Sequence, residues 1–162
     1  MDFHPIVVHF PVALLSCYTL MELVRLKRLL ETETWFWIKA VFLVIGSAAT
    51  LIAYKMGEFA AGETRSILVA THARSAKITT ILFGFLAFLY IVRVFAEWFG
   101  EKYPIISKLY SITEKIRRHW GITVLALIGF WFITATGALG GAIVYGPNVD
   151  PFVSLIYRLV VK

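Results

Sequence analysis

Four histidines are the residues best suited to chemistry in this chain: His4 and His9 where the first apolar run begins, His72 shortly before the third, and His119 at the start of the fourth. Imidazole titrates near neutrality and is the commonest nitrogen ligand to metals. His9 is flanked by Val7, Val8, Phe10, Val12 and Ala13, so its ring must find a partner or lose solvation energy. His72 follows Ile67, Leu68 and Val69 and precedes Ala73, Ala76 and Ile78, in a helix expected to open near Thr64 or Ser66. A planar iron porphyrin takes one neutral imidazole on each face, and His9 with His72, on different helices at similar depth, is the expected metal-ligand pair. With no CxxCH in the chain, such a haem would be b-type and held without covalent links. Arg74 and Lys77 stand close to His72 in sequence, where they could pair with the propionates.

His4 poses a separate question. On a continuous helix it would lie about 140° and about 7.5 Å from His9, too far round to share one metal. Pro5 favours the first helical position and disfavours helix before itself, so His4 is read as outside the helix, where it could hold a propionate or support the site, the first choice, bend back to a shared site, or ligate a second centre such as a further haem. His119, beside Arg117, Arg118 and Trp120, reads as a polar anchor a membrane thickness away.

Copper or zinc on His4, His9 and His72 is the alternative that the same imidazoles allow. Other reaction templates are weak. Glu22, Glu58, Glu63 and Glu97 fall at the ends of apolar runs and read as solvated charges, while Lys39 and Arg93 are expected to snorkel to the surface. Ser16, Cys17 and Thr19 have no base near them and read as packing residues, and no HExxH, GxSxG or phosphate loop occurs.

The elements that must position the histidines follow from composition. Of 162 residues, 59% are hydrophobic and 16% charged, which is a membrane composition rather than a soluble one. A single cysteine excludes a disulfide within the chain, and 11 Gly with 5 Pro exclude a collagen. The net charge of +6 would suggest nucleic acid in a soluble protein, but here basic residues crowd the ends of apolar runs and no nucleic-acid partner is expected. Crossing a bilayer takes about 20 helical residues. Four runs qualify, giving spans over about 5–25, 35–57, 70–98 and 120–145.

Arg25, Lys27 and Arg28 join spans one and two, and Lys102, Lys108, Lys115, Arg117 and Arg118 join three and four, so the positive-inside rule makes these connections cytoplasmic. Both termini, with Lys55, Arg65, Arg74, Lys77, Arg158 and Lys162, then face outward. Ile105, Leu109, Ile112 and Ile116 form a stripe that predicts an amphipathic surface helix over 104–118. Asp150 and Pro151 open a second over 151–161. Small residues line span two at Ala49, Ala53, Gly57 and Ala61 and close span four at Gly137, Gly140 and Gly141, where Gly137 and Gly141 leave room for a helix neighbour or a flat cofactor.

The segment His4-Pro5-Ile6-Val7-Val8-His9-Phe10-Pro11 resembles the signature of a bacterial family of four-span membrane proteins catalogued as a domain of unknown function. In that family a histidine usually opens the third span, which corresponds to His72, and the Thr136–Gly146 segment resembles its glycine-rich close. The family is similar to four-helix membrane cytochromes b. That resemblance implies haem held by histidines on facing helices and electron transfer, with quinol or within a redox complex. Where two-haem relatives have histidine pairs at both faces, this chain has only His119 at the second.

The expectation is an all-α integral membrane four-helix bundle with two interfacial amphipathic helices, forming one domain in a bacterial inner membrane. It would hold haem b near the outer leaflet through His9 and His72, with His4, Arg74, Lys77, Gly137 and Gly141 in supporting positions. Its expected role is exchanging electrons with a quinone or a redox protein partner. A homodimer and a non-catalytic assembly subunit are the other partner readings.

Overall fold

The structure, a computed structural model, describes residues 4–61, 66–99 and 103–161, without the side chains of 4–7, 60 and 61. The side chain of His4, with Glu63, Arg65, Lys102 and Lys162, lies outside the described residues. The described residues form seven helices and no strand: α1 (His4–Leu23), α2 (Lys27–Leu30), α3 (Glu33–Ala61), α4 (Ile67–Phe99), α5 (Pro104–Arg118), α6 (Trp120–Tyr145) and α7 (Pro151–Val160).

Local chemistry sets several of these limits. Ser66 opens α4, its Oγ accepting from the Val69 amide at 3.2 Å, and Asp150 opens α7 by accepting from Val153 at 2.8 Å. At the head of α6 the cap is the His119 ring, whose Nδ1 accepts from the Gly121 amide at 3.0 Å. The same helix stops at Gly146, which takes a φ of 92° that a side chain would resist. In α1 the helix begins at His4 itself and runs unbroken through Pro11, so the reading of His4 as non-helical does not hold. Pro5 is tolerated there because a first-turn amide has no intrahelical acceptor to lose.

α1 packs on α3 and α6, and α4 packs on the same two, so the four make a closed antiparallel ring. Tyr18, Leu43, Phe83, Leu86 and Ala126 fill its centre. Two glycines set the closest approaches. A Cβ at Gly46 would fall 2.7 Å from Leu15 Cδ2 across the α1–α3 contact, and one at Gly129 would fall 2.8 Å from Phe83 Cε2 across α4–α6. α5 lies against α4, and α7 packs on α6 at the far end through Val153 and Ile156.

Three helical stretches, 33–59, 67–99 and 120–145, are long and apolar enough to cross a membrane; the described apolar part of α1, Val8–Leu23, is shorter. Outward-facing Ile81, Phe85, Phe88, Phe95 and Trp131 would be a large apolar patch in water but are ordinary surface in lipid. The protein is an all-α, multi-pass integral membrane bundle.

Candidate functional site

At the end where α1 and α4 begin, the ring opens around a cavity of about 620 Å³ with walls from all four helices. Val8, Pro11 and Val12 line it from α1, Thr50, Ala53 and Gly57 from α3, His72, Ala76 and Thr79 from α4, and Ile133, Thr136 and Gly137 from α6. Its deeper threonines do not make it polar. The Thr50 hydroxyl donates to the Gly46 carbonyl at 2.8 Å and that of Thr79 to Ser75 at 3.0 Å, so each is satisfied on its own helix. The charges sit at the rim: Glu58 pairs with Lys55 at 2.8 Å and is near enough to Lys77 for their charges to interact.

His72 enters this cavity with its Nδ1 3.0 Å from the Thr136 carbonyl oxygen. A carbonyl only accepts, so Nδ1 carries a proton in this hydrogen bond. Ligating imidazoles are commonly oriented in this way. Gly140 makes room for the ring, since a Cβ there would lie 3.4 Å from His72 Cε1. At Gly137 a Cβ would meet nothing within 4 Å, because the residue faces open cavity.

The other sequence-picked residues are less tightly gathered. Gly141 turns toward α7, its nearest neighbour being Val153 at 3.7 Å from a built Cβ. Arg74 and Lys77 are exposed on α4. His9 is exposed on α1 and is not among the lining residues; one residue past Val8, it is about 100° round the helix from that wall. Among the described residues no group of three or more His, Cys, Asp or Glu side chains converges as a metal site.

The opposite end contains a centre that sequence reasoning missed. Glu22, read as a solvated charge, is 1% exposed, and Lys39, read as snorkelling, is also 1% exposed; its Nζ lies 2.8 Å from Glu22 Oε1. The Tyr90 hydroxyl donates to the same oxygen at 2.8 Å. Arg93 is buried too, not at the surface. Its guanidinium lies 3.6 Å from the centre of the Phe36 ring and pairs with Glu33 at 2.8 Å and Glu114 at 3.3 Å. Mutual pairing overturns both expectations, because a charge beside its counter-charge has no need to reach water. Burial pushes the Glu114 carboxyl up, but hydrogen bonds from Arg117 and Arg118 and the field of Arg93 outweigh it and bring its pKa to about 2. The sequence did contain a signal: opposite charges at matching depth on consecutive antiparallel helices.

Residues 1–150 match the profile of a family described as "Predicted membrane protein (DUF2231)". The chain belongs to that family. The match takes in the whole cavity and stops one residue before α7, at Pro151. No curated protein and no solved structure matches the chain.

Proposed function

We propose that this protein is a four-span b-type cytochrome, in which α1, α3, α4 and α6 cross the bilayer, α5 and α7 lie at its two surfaces, and haem occupies the cavity at the outer face. The observation that carries the reading is His72: an imidazole fixed by a backbone carbonyl through Nδ1, at the wall of an apolar cavity between four helices. The cavity volume of about 620 Å³ falls within the range of cofactor sites, and a flat apolar ring suits walls whose hydroxyls are already satisfied. Gly57 and Gly137 keep two of its sides thin.

His72 would be one axial ligand, and α1 would supply the other imidazole. The sequence favours His9 for that place, and His4, five residues earlier on the same helix, is the alternative. Lys77 and Arg74, at the rim side of α4, would attract the propionates. When bound, the haem supplies reversible one-electron chemistry. The chain's own contribution is to orient the imidazole, exclude water with the α1 and α6 walls, and hold anionic groups at the mouth. A single centre near one face suits exchange with a quinone or a redox protein rather than conduction across the whole membrane.

The test is haem retention and the visible spectrum in His4→Ala, His9→Ala and His72→Ala, purified from haem-replete cells. His72→Ala and His9→Ala should lose the bis-histidine spectrum while His4→Ala retains it. Loss in His4→Ala with retention in His9→Ala would move the second ligand to His4. Full spectra in all three would remove the site, and stoichiometric copper or zinc without porphyrin would put the metal reading in its place.

A further inference from the structure

We infer that the α5 end of the bundle is a surface selective for anionic phospholipid headgroups. α5 docks by its polar side: Thr113 and Arg117 are buried, and Glu114 pairs with Arg93 of α4. Its apolar stripe therefore points away from the protein, with Ile105 83% exposed and Leu109, Ile112 and Ile116 also exposed. A helix with that arrangement beside a bundle lies at the boundary of headgroups and acyl chains, where chains cover the stripe.

Charge decides which headgroups meet it. Lys108 and Lys115, seven residues apart, share the flank of α5 next to the stripe, and both are exposed. Arg25, just before α2, reaches the end of α5 and the start of α6. It donates to the Thr123 hydroxyl at 2.7 Å and to the Arg118 carbonyl, and its guanidinium lies 5.0 Å from the centre of the exposed Trp120 ring. Lys27 and Arg28 follow directly and are exposed. The carboxylates that could neutralise these cations are engaged elsewhere: Glu22 by Lys39, Glu33 and Glu97 by Arg93, and Glu114 by Arg93, Arg117 and Arg118. Glu31 is the exposed acid that remains among the described residues at this end. Lys27, Arg28, Lys108 and Lys115 thus give this end exposed positive charge beside apolar side chains, and that combination attracts a net-negative lipid over a zwitterionic one.

The experiment reconstitutes the full chain in phosphatidylcholine bilayers and measures, with spin-labelled lipids, the motionally restricted fraction of phosphatidylglycerol against phosphatidylcholine. A several-fold preference for phosphatidylglycerol is expected, falling to parity when Lys27, Arg28, Lys108 and Lys115 are all changed to Gln, and unchanged in Lys55→Gln with Arg158→Gln at the other end. Because the four cations are exposed, helix content and melting temperature should not move. No preference in the unmodified protein, a preference that survives the fourfold change, or equal loss in the control pair would overturn the assignment.

Discussion

At the scale of single residues, the two ends of the bundle use polar groups in different ways. His72 bonds the Thr136 carbonyl at the wall of a cavity, whereas Glu22 and Lys39 are fully covered, Glu22 accepting from both Lys39 and Tyr90. Only the first leaves room for a ligand. Gly137→Leu should intrude on the cavity and weaken binding of a flat cofactor, with little change in the melting temperature of the cofactor-free protein, because a Cβ there meets no neighbour. The buried pair predicts the opposite outcome. Glu22→Ala, which leaves Lys39 covered and uncompensated, should cost about 3–5 kcal/mol in denaturant unfolding, and adding Lys39→Met should recover most of it. If the double variant were no better than the single one, the pair would not be the source of the loss. His72 was visible in the sequence because an imidazole in an apolar stretch is costly wherever it points. The Glu22–Lys39 pair was legible only by matching depths across two helices, since each residue read alone is an ordinary charge near a helix end.

At the scale of elements, α5 joins the bundle through ionic and cation–aromatic contacts rather than through its apolar stripe. Its docking should therefore depend on pH. Glu114 has a carboxyl pKa of about 2 in the folded protein against an ordinary 4.5, so its contribution is complete above about pH 4.5 and is lost as the pH falls toward about 2. Partial exposure of Glu114 screens the effect and keeps it modest. The protection of α5 amides relative to their intrinsic exchange rates should fall across that window in the unmodified protein and be low at every pH in Glu114→Gln; protection that does not change with pH in the unmodified chain would contradict the ionic account. Helix limits were largely legible. Apolar run length places α6 at 120–145 and the Asp150-Pro151 pair marks the start of α7, because both signals are local. The short α2 and the inward polar face of α5 were not, because α2 has no apolar period of its own and the facing of α5 is decided by Arg93 and Phe36 on other helices.

At the scale of the whole molecule, the antiparallel ring puts the start of α1, the end of α3, the start of α4 and the end of α6 together, and this is why one cavity draws on segments separated by most of the chain. Sequence order alone placed the start of the first span beside that of the third and favoured His9 as the partner of His72, but which α1 residues line the cavity depends on the packing of all four helices. The proposed orientation also assigns a side to each end. In a Cys17→Ser background, Val149→Cys should react with an impermeant thiol reagent from outside intact spheroplasts, and Lys108→Cys only after permeabilisation. The reverse pattern would invert the topology while leaving the fold intact. The central claim is that the four-helix cavity holds haem. The most direct measurement is the reduced-minus-oxidised absorption spectrum of the purified chain with extraction of its haem: the account predicts a b-type spectrum with noncovalent haem in stoichiometric amount, and a colourless protein that acquires no such spectrum on titration with haem would contradict it.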